Sequence, residues 1–213
     1  MKTSVLTLAI FIGVVSANTF AATTDLTVTG TITPAACSPT LGNGGVIDYG
    51  AVSLTDLEGD STNYTLPVKT LSLAIDCDAA TTFALMTRDN RLDTLDPRDY
   101  TFGLGMHQDQ SIGSYMMTWE FENTLVDGEQ GFNFYSNDGG QSWNGLGDDR
   151  GNLFNASRVP LSRTGFNSKI SHRLEPIRNV NVMMDVRGFI KKSLVVNGSI
   201  PIDGSATIEV VYL

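Results

Sequence analysis

Apolar and polar side chains alternate along the most regular segments of this chain. In residues 26–33 apolar side chains alternate with threonines, and in residues 71–77 they alternate with Ser, Ala and Asp. A period of two is typical of a β-strand that buries one face. No stretch keeps a helical period, and turn-forming clusters separate further short runs at residues 83–86, 100–106, 115–121, 180–186 and 205–213. The sequence therefore predicts an all-β fold, an antiparallel β-sandwich with little or no helix.

The amino-terminal segment has the pattern of a secretory signal peptide. Lys2 is followed by an apolar run over residues 5–15 and then by several small residues. The run is well short of the roughly 20 residues that a membrane-spanning helix needs. We predict cleavage after Ala21, with cleavage after Ala17 as the alternative. Residues 1–21 are then the signal peptide, and residues 22–213 form one exported domain.

Cys37 and Cys77 are the two cysteines of the chain. Export would place both in an oxidising compartment, where disulfides persist, so we predict that they pair. Closing a loop of about 40 residues would stabilise the fold by roughly 4 kcal/mol through the lost entropy of the unfolded chain. Cys77 shares the apolar side of its segment, which predicts a disulfide in the core. We expect no metal site, because two cysteines and two distant histidines lack the usual ligand spacing.

The net charge and the lack of catalytic sequence motifs limit the classes of function that we expect for this chain. Acidic residues outnumber basic ones by 23 to 14, for a net charge of −9, so nucleic acid is not expected as a partner. The sequence contains no nucleophile elbow, zinc-protease helix motif, phosphate-binding loop or dinucleotide fingerprint. We therefore expect no enzyme activity and no cofactor.

Three segments carry a family resemblance. Residues 30–37 (GTITPAAC) and residues 71–78 (LSLAIDCD) each run into a cysteine, and residues 204–213 (GSATIEVVYL) end with a penultimate tyrosine. In this order they resemble the cysteine motifs and the last strand of pilins assembled by the chaperone-usher pathway. The chain is also similar to an uncharacterised group of exported proteins found with fimbrial chaperones and ushers.

The resemblance implies an immunoglobulin-like sandwich that lacks its last strand. In such pilins a periplasmic chaperone lends a strand to the open groove, and a neighbouring pilus subunit replaces that strand in the fibre at the outer-membrane usher. The strand-binding face would comprise Ala206, Ile208, Val210 and Tyr212. The alternative is that these four side chains face the core of their own domain.

The resemblance leaves two alternatives for the amino-terminal strand. If residues 25–34 form the first strand of the domain, only about four residues remain as a donor extension, which suits a subunit at the tip of a fibre. Alternatively, the segment is itself the donor strand, with Leu26, Val28, Gly30 and Ile32 on the inserted face.

Residues 136–143 (SNDGGQSW) fit the Asp-box pattern of sialidases and other β-proteins. A single copy predicts a packed hairpin turn rather than a catalytic site. A second hypothesis for this segment is a glycan-binding loop that uses Tyr135, Asp138 and Trp143. The leading prediction for the chain is accordingly a structural subunit of a chaperone-usher fimbria, which crosses the periplasm to the cell surface. The alternative is a lectin-like sandwich, at a fibre tip or in the periplasm, that binds a host or surface glycan.

Overall fold

The computed structural model describes residues 24, 26–30, 36–95, 101–147, 150–171 and 173–213. The chain divides into two units, Met1–Thr33 and Pro34–Leu213. Within the second unit the described strands are β1 Cys37–Leu41, β2 Asn63–Thr65, β3 Lys69–Thr81, β4 Phe83–Asp89, β5 Phe102–Gly103, β6 Met106–His107, β7 Gln110–Ser111, β8 Gly113–Trp119, β9 Thr124–Val126, β10 Glu129–Gln130, β11 Phe132–Ser136, β12 Asn144–Gly147, β13 Gly151–Asn152, β14 Arg163–Asn167, β15 Ile177–Lys191 and β16 Ala206–Tyr212.

Two antiparallel sheets contain most of these strands. The first has the order β1-β3-β15-β8-β13, with β2, β5, β9 and β10 at its margins, and the second has the order β12-β11-β14-β4-β16. The helical segments of the described residues are short 3₁₀ turns at Gly42–Gly45, Leu54–Asp56, Leu92–Thr94 and Phe121–Asn123. No helix of the described residues is long and apolar enough to cross a membrane. The predicted all-β antiparallel sandwich is confirmed.

The core lies between the two sheets. Strands β3, β8 and β15 of the first sheet bury every second side chain, as their period-two pattern requires. Trp119 of β8 stacks on Phe166 of β14, with ring centroids 6.0 Å apart, and so joins one sheet to the other. Strand β4 is buried on both faces: Phe83 and Leu85 face this core, and Ala84 packs in a second cluster with Trp143.

The predicted disulfide joins the first sheet at one end of its edge strand. Cys37 of β1 lies directly opposite Cys77 of β3, and the two residues are bonded. The pairing is confirmed, but the prediction of a core disulfide needs correction. Both cysteines are half-buried and pack against the margin of the core, because β1 is an edge strand that is open to solvent on one side.

The predicted strand at residues 26–33 is wrong for the part that is described. Residues 26–30 form no strand, and the side chains of Leu26 and Val28 are 90% and 85% exposed. The first described strand of the sandwich instead begins at Cys37. Ile32, the signal peptide and its cleavage site lie outside the described residues. The run predicted at residues 100–106 is split between β5 and β6, because Gly105 turns the backbone with a φ of 94°.

Candidate functional site: an apolar groove beside an edge strand

Strand β16 forms one edge of the second sheet. It pairs with β4 from Ala206 opposite Asp89 to Tyr212 opposite Phe83. Beyond the two ends of this ladder, the backbone N–H of Leu213 donates to the carbonyl of Thr82 at 3.1 Å, and the N–H of Asn90 donates to the carbonyl of Ser205 at 3.0 Å. These two bonds show that the odd-numbered residues of β16 are the ones that exchange hydrogen bonds with β4.

The even-numbered residues of β16 therefore direct their backbone N–H and C=O groups away from β4. They are Ala206, Ile208, Val210 and Tyr212, and among the described residues no strand pairs with them on that side. An edge of this kind is a template for another strand. The residues that the sequence singled out as a strand-binding face are thus the ones with unpaired main-chain groups.

The side chains of three of these residues point inward. Ala206, Ile208 and Val210 are half-buried and pack against the main core, whereas Tyr212 is 48% exposed. These side chains therefore match the alternative, that the face belongs to the domain's own core. The backbone groups of the same residues are unpaired on the outer side because a strand alternates its side chains across the sheet and its hydrogen-bonding groups within the sheet. Strand binding by these residues stays a prediction.

An apolar groove of about 790 Å³ opens beside the first half of β16. Its floor is made by core residues of the first sheet, including Leu71, Tyr115, Met117, Met184 and Val186. Burial raises the pKa of the Tyr115 hydroxyl, so that this side chain stays neutral in the floor. The groove can therefore accept apolar side chains, while the backbone edge of β16 supplies hydrogen bonds beside it.

Two irregular segments form the walls of this groove. One wall is residues 45–57, which follow β1, and the other is residues 194–204, which precede β16. Their lining side chains are mostly apolar, among them Ile47, Val52, Leu54, Leu57, Ile200 and Ile202. Sequence reasoning missed both walls, because their apolar residues follow neither a helical nor a strand period. The only signal was an excess of Val, Leu and Ile in segments that otherwise read as loops.

The Asp-box segment forms a hairpin turn between β11 and β12, as predicted. The hydroxyl of Ser136 donates to Asp138 Oδ1 at 2.6 Å, and the backbone N–H groups of Gln141 and Ser142 donate to the same oxygen at 3.0 Å. These bonds, led by the one from Ser136, hold the pKa of Asp138 below its ordinary value. Gly140 has a φ of 99°, which favours glycine.

Trp143 packs beneath this turn instead of facing solvent. Its side chain is 7% exposed and clusters with Ala84 and Phe134, and its Nε1–H donates to the carbonyl of Gly140 at 3.1 Å. Tyr135 is half-buried, with its ring 5.7 Å from that of Phe154. In this arrangement Trp143 stabilises the hairpin and offers no open face for stacking on a sugar. Glycan binding by this loop stays a prediction.

The comparisons with known proteins find a family model and relatives in Escherichia coli. The family model described as "Protein of unknown function (DUF1120)" matches residues 26–116, which include both cysteines. The chain is 26% identical to the uncharacterized protein YhcF of Escherichia coli (strain K12) over 218 residues, which covers 86% of this chain and 87% of that protein. It is 39% identical to the protein GltF of the same organism over 75 residues. That match spans 34% of this chain and 30% of GltF.

Proposed function

We propose that this protein is a structural subunit of a chaperone-usher fimbria or a related surface fibre, whose sandwich is completed by a β-strand from another polypeptide. One observation carries the proposal: the unpaired backbone edge of β16, Ala206–Tyr212, borders an apolar groove of the same domain along its first half, at Ala206 and Ile208. Strand addition uses both features, since the main chain gives affinity and the pockets for alternate side chains give specificity. No catalytic step and no cofactor are part of this proposal.

The amino-terminal segment fits the role of a donor strand. Strand β16 has 7 residues, and the stretch from Leu26 to Ile32 has the same length. Four alternate residues of this stretch, Leu26, Val28, Gly30 and Ile32, would face the groove of a neighbouring subunit. Leu26 and Val28 are 90% and 85% exposed. Apolar side chains exposed to this degree favour burial against a partner.

The described part of residues 25–34 favours a donor strand over a fibre-tip position. That assignment rested on a first strand at residues 25–34, which would leave about four residues for donation. Because residues 26–30 form no strand, this part of the segment is available to a donor role in the proposal. The proposal is therefore a subunit that both accepts and donates a strand. It implies export, transit through the periplasm with a fimbrial chaperone, assembly at an outer-membrane usher and a final location at the cell surface.

The test uses the exported chain and a synthetic peptide of residues 22–35. We expect the chain alone to aggregate or to unfold at low guanidinium concentration, and to form a one-to-one complex with either the peptide or a cognate fimbrial chaperone. At a peptide concentration of 100 times Kd, linkage predicts a gain of about 2.7 kcal/mol in the free energy of unfolding. Size-exclusion chromatography and guanidinium unfolding measure both effects.

A matched control peptide carries threonine at positions 26, 28 and 32. It keeps the length and backbone of the donor but lacks the apolar side chains that would fill the groove, so it should stabilise the chain little. The proposal is wrong if the chain alone is a monomer that unfolds cooperatively and neither peptide nor chaperone shifts its midpoint. That result would mean that β16 already closes the sandwich.

A further inference from the structure

One wall of the groove is a segment whose hydrogen bonds to the rest of the domain, among the described residues, lie at its two ends. Residues 196–202, here called the strap, line the groove with Val196, Ile200 and Ile202. Within the described part of the chain, no hydrogen bond joins the strap to any other residue. Most strap residues are exposed, and the side chains of Val196 and Ile202 are 43% and 38% exposed. Between its ends the strap is therefore attached by side-chain packing alone, chiefly that of Ile200 against the main core.

The end of the strap nearer to β15 is fixed by two backbone donors. The N–H of Leu194 donates to the carbonyl of Lys191 at 3.1 Å, and the N–H of Val195 donates to the side chain of Gln110 at 3.2 Å. Leu194 is also buried in the main core. This end is anchored by ordinary packing and turn bonds.

The end nearer to β16 is fixed by an ion pair. Asp203 receives two hydrogen bonds from the guanidinium of Arg91, from Nε at 2.9 Å and from Nη2 at 2.8 Å. The backbone N–H of Asp203 also donates to the carbonyl of Leu104, a groove residue, at 3.0 Å. A bidentate arginine–carboxylate pair fixes the relative orientation of the two side chains as well as their distance. The strap thus leaves the groove at a residue held by one ion pair and one backbone hydrogen bond.

A buried carboxylate, that of Asp89, holds the backbone of Arg91 and of the nearby Gly103 in place. Asp89, which is 7% exposed, accepts the N–H of Arg91 at 2.8 Å and the N–H of Gly103 at 2.9 Å. Residues 89–91 and residue 103 therefore form a rigid support, and Asp203 is attached to that support through Arg91. Because the support is rigid, breaking the ion pair would loosen this end of the strap, which the Asp203–Leu104 backbone bond would then hold alone, without disturbing the sheet.

We propose that the Arg91–Asp203 pair is a latch that holds the strap against the groove and limits how fast a complementing strand can insert. Arg91 and Asp203 are positioning residues in this scheme, and the inference rests on the proposed function. A strand that lies along the outer edge of β16 needs space between that edge and the two walls. With the latch closed, the strap occupies the wall next to Ala206, where the groove begins. Opening the latch widens the groove at that end.

The test measures the association rate of the fluorescent peptide of residues 22–35 with the exported chain by stopped flow. We expect Asp203→Asn and Arg91→Gln each to raise the association rate about fivefold, the factor that corresponds to roughly 1 kcal/mol. Hydrogen exchange of residues 194–205 should also be faster in both variants. Salt should raise the wild-type rate, because it screens an exposed pair, and should leave the variants nearly unchanged.

The matched control is Glu175→Gln, which removes the exposed Lys169–Glu175 pair away from the strap and should leave the rate unchanged. A double variant with the charges exchanged, Arg91→Asp with Asp203→Arg, should bring the rate back towards the wild-type value. A merely structural pair would lower stability without raising the association rate, and that outcome would overturn the latch. If the wild-type chain binds no peptide, the proposed function fails first and the latch fails with it.

Discussion

The backbone N–H of Cys37 donates to the hydroxyl of Tyr212 at 2.8 Å, which joins the edge strand of one sheet to the edge strand of the other. Strand β1 begins at Cys37 and strand β16 ends at Tyr212, so this bond connects the two sheets beside the disulfide. The groove lies along the other half of β16, at Ala206 and Ile208. The sandwich is therefore held closed at one end of β16 and open at the other.

Tyr212→Phe should remove this bond and keep the ring. We expect a loss of about 1 kcal/mol in the free energy of unfolding, the usual net value of one hydrogen bond. Guanidinium unfolding of residues 22–213 measures this loss. Tyr135→Phe is the control, since no hydrogen bond of the Tyr135 hydroxyl occurs among the described residues. Equal midpoints for Tyr212→Phe and the wild type would show that the bond contributes nothing.

The double variant Cys37→Ala with Cys77→Ala should destabilise the domain by roughly 4 kcal/mol, because the unfolded chain regains the entropy of a loop spanned by 40 residues. Chemical unfolding of the oxidised wild type and of the variant gives the difference. Reduction of the wild type should produce a similar loss. A variant as stable as the oxidised protein would show that packing alone holds β1 on β3.

The stability of the protein should depend on the ionisation of Asp138. Hydrogen bonds lower its folded pKa, so its contribution is complete above the unfolded pKa of about 3.9 and is lost as the pH falls towards the lower folded value. Asp138→Asn should therefore unfold with a shallower dependence on pH in the acid range than the wild type. Glu122→Gln, on an exposed 3₁₀ turn, is the control. Parallel acid-unfolding curves for wild type and Asp138→Asn would contradict the prediction.

Trp143→Ala should lower the free energy of unfolding by about 3–5 kcal/mol, as expected when a large buried aromatic side chain is removed. The cause is the cavity left beside Ala84 and Phe134. Thermal unfolding measures the loss, and a glycan array run on the folded variant tests the loop at the same time. A stable variant that has lost binding to a defined sugar would instead support the glycan-binding hypothesis.

Gly151→Ala should disturb the core at Trp119. A Cβ atom on Gly151 would lie 2.2 Å from the indole Nε1, and the ring is fully buried and hydrogen-bonded to Asn133. Overpacking of this kind costs about 1–3 kcal/mol. Gly30→Ala is the matched control, because nothing lies within 4 Å of its added Cβ. Similar midpoints for the two variants would show that β13 can shift away from Trp119.

Local patterns in the sequence sufficed for several of the strands and for the disulfide. The alternation in residues 71–77 and 180–186 predicted β3 and β15, and the segment at residues 136–143 predicted its turn. Local patterns failed where a contact decides the outcome. Residues 26–30 alternate as well as β3 does but form no strand, because alternation shows that a segment can pair and not that a partner is present.

The sequence by itself determined the all-β class, the disulfide pairing and which face of β16 is apolar, since these follow from side-chain period, residue type and the presence of two cysteines. Only the tertiary structure decided that β16 lies at a sheet edge, that residues 45–57 and 194–204 wall a groove beside it, and that Arg91 meets Asp203. Such features depend on which segments become neighbours. Arg91 and Asp203 are 112 positions apart, and no local sequence pattern indicates that they meet. The folding of the chain between them brings them together.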